Sequence, residues 1–373
     1  MQKLTWQQVN AWRLAQQQLT ERAEPTALLA VVTRLGGVQA QLMSAAELAL
    51  WVRIKAITPT AIQHLLWEER ALVKTWAMRG TLHLLPSQTF GDFVAASAAT
   101  TIKRPPSYYT YHKVNSAELT AIIDTVPLVL SATPITREQL ADAIVECTGN
   151  PNLRGVLLSG WGALLKPSAR RGDICFGPNQ GQNVTFVRPD QWLGAWSVQE
   201  PLPALQAVAR RFLTTYGPAT LDEFARCWGI DAAQARKLFK GMAAELTTVD
   251  VEGWQAQMLT TTLDALAHSE PAPTVRLLPY FDPYTIAIAR HSDALLPAAQ
   301  KNKVYRAQGW IAPVVLVDGC LVGVWEHALK RRYTEITVTL FTSLTKGIKT
   351  QIVSETEGLG EFLGSNVKLT LVE

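Results

Sequence analysis

RLGGVQAQLMSAAELALW, Arg34 to Trp51, is the stretch from which the rest of the chain is read. At its centre Gln39 and Gln41 flank Ala40, directly after the pair Gly36-Gly37 and before a strongly apolar run. On an α-helix, residues two apart point about 200° away from each other, so two such amides cannot serve one site there. Paired glycines leave a helix readily, and in an extended segment the period of two turns alternate side chains to one face. The spacing therefore predicts a helix that stops at the glycines, a short extended stretch carrying both amides, and a new helix over residues 45–54. Each amide offers two N–H donors and one carbonyl acceptor, enough to hold a water or a ligand with no formal charge. The same residues also read as ordinary glutamines at a helix end, and the residue types alone do not choose.

Outward from this stretch, helical and hairpin patterns alternate. Trp6, Val9, Trp12, Ala15 and Leu19 recur at three- and four-residue spacings, one face of a helix ending near Leu19. A second helix starts near Pro25-Thr26, and a fourth at Thr58-Pro59 with Thr58 as its N-cap. Residues 75–78 and 81–85 read as two short strands around Arg79-Gly80, and Pro105, Pro106, Tyr108, Tyr109 and Tyr111 as a linker. The helices-then-hairpin plan recurs with helices at 116–130, 136–147 and 152–165 and strands at 173–177 and 184–188. It comes a third time with helices at 204–216, 220–228 and 231–244 and strands at 246–251 and 254–259. Residue-level repetition is not visible. From Thr274 onward β-branched alternation predicts strands at 314–317, 321–325 and 335–341, a helix at 354–362 and a last strand at 367–372. The expected fold is α+β: three tandem winged-helix units at 1–115, 116–200 and 201–273, then a small β-rich domain at 274–373.

The 373 residues suit about two or three domains, and 48% hydrophobic with 18% charged residues suits a globular chain with a sizeable core. A net charge of +4, from 35 Lys and Arg against 31 Asp and Glu, permits nucleic-acid binding through a local patch without arguing for it. Cys147, Cys175, Cys227 and Cys320 are far apart and read as buried thiols in a reducing compartment. With six scattered histidines they offer no metal-ligand spacing, so neither a metal nor a cofactor is expected. No run approaches the roughly 18 apolar residues of a membrane span. The N-terminus is amphipathic and Gln-rich where a signal peptide is continuously apolar, and the expected location is the cytoplasm.

LGGVQAQ before an apolar helix, RGTLHLLP from Arg79, LLPYFDPY from Leu277 and APVVLVDGCLVGVW from Ala312 together resemble the AlkZ-type DNA glycosylases. The resemblance runs across essentially the whole chain in the right order. It implies a bacterial winged-helix enzyme that excises alkylated bases and in some members unhooks interstrand crosslinks, its winged helices lining a concave DNA channel. The family's catalytic signature is a Gln-aliphatic-Gln triplet, which Gln39, Ala40 and Gln41 match. A related branch carries an acidic residue at the second Gln position, and this chain does not. The implied partner is duplex DNA with alkylated bases, bound by a monomer that is nucleoid-associated when on DNA.

Two neutral amides suffice only for a particular substrate. An N7- or N3-alkylated purine already carries positive charge and leaves as a neutral base without a general acid. What remains is to place a water beneath C1′ and to stabilise an oxocarbenium-like sugar. A base cannot be attacked inside the duplex, so the backbone must be held by basic groups while the base is reached. Arg154, Lys166, Arg170, Arg171 and Arg188, on a third helix and its wing, form the densest local basic set, with Arg79 in the first wing and Lys330-Arg331-Arg332 as weaker candidates. Each reads also as a solvated charged face. His83, between Leu82 and Leu84, is either a satisfied core histidine or a group supporting the glutamines, and Asp282 before Pro283 is either a turn initiator or a supporting carboxylate. The twelve tryptophans read as core residues first and base-stacking platforms second, and Trp161, in the second unit's recognition helix, is the one best placed to stack on a base. A non-catalytic winged-helix regulator is the competing reading, although such proteins dimerise and use one such unit per protomer; a protein-binding scaffold is a third.

Overall fold

The computed structural model describes residues 1–160, 162–197, 199–290 and 292–372. The chain opens with β1 (Gln2–Leu4), α1 (Trp6–Gln16), α2 (Leu28–Leu35), β2 (Val38–Gln39), α3 (Met43–Trp51) and α4 (Pro59–Trp67). There follow β3 (Leu72–Trp76), β4 (Leu82–Pro86), α5 (Phe90–Ala98), α6 (Pro106–His112) and α7 (Ser116–Val129). Next come β5 (Ile135–Thr136), α8 (Arg137–Thr148), α9 (Asn152–Leu158), α10 (Lys166–Arg171), β6 (Cys175–Gln180), β7 (Asn183–Val187) and α11 (Pro189–Trp192). The third helical set is α12 (Pro201–Tyr216), α13 (Leu221–Trp228) and α14 (Ala232–Gly241), with β8 (Leu246–Val251) and β9 (Trp254–Leu259) after it. The remainder is α15 (Leu263–Ala267), β10 (Val275–Leu278), α16 (Pro283–Ala287), α17 (Lys301–Val304), β11 (Val314–Val317), β12 (Cys320–Leu329), β13 (Thr334–Leu340), α18 (Lys346–Leu363) and β14 (Val367–Val372).

These elements form two compact units, one of Met1–Ile62, Ala209–Cys227 and Asp231–Glu373, the other of Gln63–Val208 and Trp228–Ile230. They do not follow the sequence order of the four segments. β1 pairs in parallel with β8, Gln2 opposite Val249, so the N-terminus is built into the sheet of the third segment. In the same unit β10, β11, β12, β13 and β14 make a five-stranded sheet, antiparallel except for β13 with β14. The other unit is centred on Trp76, Ile122, Ile144, Phe176 and Phe186, with the Trp76 ring 4.7 Å from Phe176 and 5.9 Å from Phe186. Its β5, β7 and β6 form a small sheet, and β3 and β4 a hairpin.

Several local readings need correction. The linker expected around Pro105, Pro106 and the three tyrosines is itself helical: Pro106 opens α6 with the φ a first helical turn requires, and Lys113 ends it in the left-handed region at φ 54°. The expected helix at 152–165 stops at Leu158, where the backbone turns extended, and Gly160 and Gly162 at φ 67° and 73° separate it from α10. The first hairpin strand ends at Trp76, because Arg79 takes φ 57° in the turn. α18 is twice the expected length, since Thr345 caps it from Ile348 N onward. Of the four cysteines only Cys175 is buried; Cys147 is exposed and Cys227 and Cys320 are half-buried, because they fall on partly solvated faces of their elements. Trp161 and His291 lie outside the described residues.

Candidate active site

The glycine pair works as the sequence reading expects. Gly36 ends α2 in the left-handed conformation at φ 72°, its N–H donating to Thr33 O, while Gly37 N–H reaches back to Val32 O at 3.0 Å. Such a turn leaves the last helical carbonyls without helical partners. Side chains at the end of α12 take them: Thr215 Oγ1 donates to Arg34 O at 2.8 Å and Tyr216 Oη to Leu35 O at 2.7 Å. Arg13 on α1 in turn donates to the carbonyls of Tyr216 and Pro218, at 3.0 and 2.7 Å. Burial pulls the Arg13 pKa down, with Tyr284 and Glu223 opposing it. Three elements thus converge on the turn that delivers the glutamines.

From this turn β2 runs through Val38 and Gln39, both buried, with Gln39 6% exposed. Ala40 is fully buried, and Gln41, in a bend, is partly exposed. The extended run therefore ends at Gln39, two residues before the second amide, and the two glutamines differ in solvent access. Two residues on, α3 begins with Leu42 at its N-cap and no side-chain cap.

The far end of α3 is fixed by charge. Arg53 donates from Nη1 to Asp282 Oδ2 at 2.7 Å and from Nη2 to Asp282 Oδ1 at 2.8 Å, with neither residue exposed at all. Arg53 also holds Ala49 O at 2.8 Å, and Asp282 accepts from Tyr284 N at 2.9 Å as the N-cap of α16. Beside this pair, Arg22 stacks over Trp51 at 4.8 Å and chelates Glu355, which Arg276 also meets at 3.3 Å. Asp282 is thus both a helix cap and half of a buried ion pair. The sequence reading named Asp282 and missed Arg53; a lone arginine at the end of an otherwise apolar helical run was the available signal.

His83 is buried on β4 opposite Thr75. Its Nδ1 lies 3.0 Å from Thr81 O, and since a carbonyl can only accept, that nitrogen carries the proton. Burial, and then the charge of Arg79, push its pKa down to about 3, so it is neutral at any working pH.

The basic residues singled out from sequence occupy varied settings. Arg154 is tied to Asp142 at 2.6 Å, Arg171 to Asp124 and Asp173 at 3.0 and 2.9 Å, and Arg188 to both oxygens of Asp190. Arg170 is half-buried and donates to Ser97 O and Thr100 Oγ1. Lys166 is half-buried, its pKa lowered by burial, with its chain close over Gly80 beside Arg79. Lys330, Arg331 and Arg332 line a depression at the β12–β13 tip with Tyr333 and Glu361, in the other unit. No group of three metal-ligating side chains is found among the described residues, and no helix among them is long and apolar enough to cross a membrane.

Comparison with known proteins places the whole chain in a family. The model of the family described as DNA glycosylase AlkZ-like matches residues 32–362, a span containing both glutamines, Arg53 and Asp282. An interstrand DNA cross-link repair glycosylase of Streptomyces sahachiroi is 39% identical over 329 residues, covering 87% of this chain and 88% of the relative. The solved structure of Streptomyces sahachiroi DNA glycosylase AlkZ superposes with a TM-score of 0.90 at 35% identity, over 99% of this chain and 100% of that one. With its mixed helices and small sheets, this chain belongs to the AlkZ-like DNA glycosylase family.

Proposed function

We propose that the protein is a monofunctional DNA glycosylase that removes cationic N7- or N3-alkylated purines, crosslinked ones included, from duplex DNA by water attack at C1′. The observation that carries this reading is the Gln39-Ala40-Gln41 triplet, delivered by an anchored glycine turn within the matched span. The relative named for interstrand crosslink repair supports the crosslink part.

In this reaction the C1′–N bond breaks with its electron pair passing to the cationic base, which leaves neutral. Water adds its oxygen to C1′ and releases a proton to solvent, leaving an abasic site. Gln39 and Gln41 orient the water by their carbonyls and place negative ends of amide dipoles toward the developing sugar cation. A carboxylate would activate water more strongly, as glycosylases for neutral bases require, so amides confine the enzyme to bases already activated by charge. His83, neutral with Nδ1–H committed to Thr81, acts as a structural group and not as a titrating acid or base. The three helices-then-hairpin segments are read as winged helices that bind DNA.

The test is to incubate the protein with duplexes carrying N7-methylguanine, N3-methyladenine, an N7-linked crosslink, or an uncharged lesion such as uracil, and to score abasic sites. Release of the cationic adducts and none of uracil is expected. Release of uracil at a comparable rate would remove the argument from leaving-group charge.

A further inference from the structure

Two sets of cations in the unit containing α6 contrast in their partners. Arg154, Arg171 and Arg188 each face a carboxylate, and Arg170 faces a carbonyl and a hydroxyl. Arg104, Lys113 and Lys166 meet no carboxylate among the described residues. These three gather around α6. Arg104 lies over the Tyr108 ring at 5.8 Å, the Tyr108 ring is 4.5 Å from His112, and Tyr108 Oη reaches Ala163 O near the start of α10 at 3.4 Å. Lys166 opens α10 and runs close over Gly80.

The electrostatics of the neighbourhood agree with the geometry. His112 is held below its ordinary pKa by burial and by the charge of Lys166, and Arg170 by burial and by the charge of Arg104. Cations that disfavour one another's charge mark a region of unbalanced positive potential. Arg104, Tyr109, Lys113 and Ser116 border an open depression of about 520 Å³. Next to it Tyr111 stands 82% exposed with its ring 5.0 Å from His112. Glu118, the acid nearest in the chain, is occupied at the start of α7, accepting from Asn115 N and Asn150 Nδ2.

We infer that α6 and the turn before it are a phosphate-binding surface for duplex DNA, with Arg104, Lys113 and Lys166 on the phosphodiester backbone and Tyr111 against the sugar edge. The inference rests on the glycosylase reading for the identity of the polyanion. Three cations without counter-carboxylates, set among hydroxyls and aromatic rings, match a chain of phosphates better than an apolar partner. The paired arginines would each have to give up a carboxylate first.

The experiment compares two double variants of the full chain, Arg104→Ala with Lys113→Ala and Arg154→Ala with Arg171→Ala, which remove equal charge. Both pairs lie on the surface, and circular dichroism checks their folding. Affinity for a short undamaged duplex of arbitrary sequence is measured over a range of salt. The α6 variant is expected to bind roughly ten- to hundredfold more weakly at moderate salt, with a log–log salt slope shallower by about 1.8, two contacts at ~0.9 each. The other pair is expected to stay near the parent. A folded α6 variant with the parental affinity and slope, or equal losses in both variants, overturns the assignment. In either case a parent that still binds and cleaves adducted DNA leaves the glycosylase reading standing, whereas a parent that binds no duplex overturns both.

Discussion

Replacing Asp282 with alanine strands a guanidinium that has no access to water. Asp282 gives Arg53 two contacts, at 2.7 and 2.8 Å, between residues that are both wholly buried, and it caps α16 through Tyr284 N at 2.9 Å. After Asp282→Ala, Arg53 keeps only the Ala49 carbonyl. Breaking a buried ion pair from one side costs about 3–5 kcal/mol, and losing an N-cap about 1 kcal/mol more, so a loss of roughly 4–6 kcal/mol is predicted. That is a large share of the ~5–15 kcal/mol by which domains are stable. The double variant Arg53→Met with Asp282→Leu should recover most of the ion-pair loss. It removes both charges together, and Arg53 Nε has no hydrogen-bond partner even now. Urea unfolding followed by tryptophan fluorescence, with hydrogen exchange at the α3 amides, measures both effects. A cost below about 1 kcal/mol for Asp282→Ala, or a double variant no more stable than the single one, would refute the claim that this pair fixes the end of α3.

His83 predicts a pH effect of definite sign. Its folded pKa is depressed to about 3 from an unfolded value of 6.5, so between these values the unfolded chain binds a proton that the folded one refuses. Stability should therefore fall as pH drops from 6.5 toward 3, and His83→Phe should flatten that part of the curve in a denaturation series. Gly217→Ala should destabilise by at least about 2 kcal/mol in thermal unfolding, since its Cβ would run into the Leu213 carbonyl beside Thr215 and Tyr216, which hold the glycine turn. Gln41→Asp should raise the rate on less activated bases relative to N7-methylguanine, and an unchanged ratio in competition assays would count against a water-orienting role.

Much of this was legible because the decisive signals are local. The glycine pair, the strand at Val38 and the helix after it follow from φ preferences and period, with no knowledge of the rest of the chain. What sequence could not give is pairing at a distance. Arg53 and Asp282 are 229 residues apart, and Thr215 and Arg34 181 apart, so neither contact leaves a local trace. The same limit applies to charge. Arg154 and Arg171 look like part of a dense basic cluster, but Asp142 and Asp124, 12 and 47 residues away, come to meet them in three dimensions, whereas Asp173 and Asp190 lie only two residues from Arg171 and Arg188. Residues 105–112 read as a linker because prolines and tyrosines are poor helix signals, whereas a proline in the first turn starts α6.

The glutamine pair itself is tested most directly by single-turnover excision of N7-methylguanine from a defined duplex by Gln39→Ala and Gln41→Ala, beside their affinity for the same DNA. In the proposed mechanism each amide acts on the attacking water and the developing sugar cation, interactions made in the transition state, and affinity is assigned to basic surface elsewhere. Loss of one such contact corresponds to about 1–3 kcal/mol, a roughly ten- to hundredfold slower cut at nearly parental affinity. Both variants cutting at the parental rate would contradict the account and move the catalytic groups elsewhere in the chain.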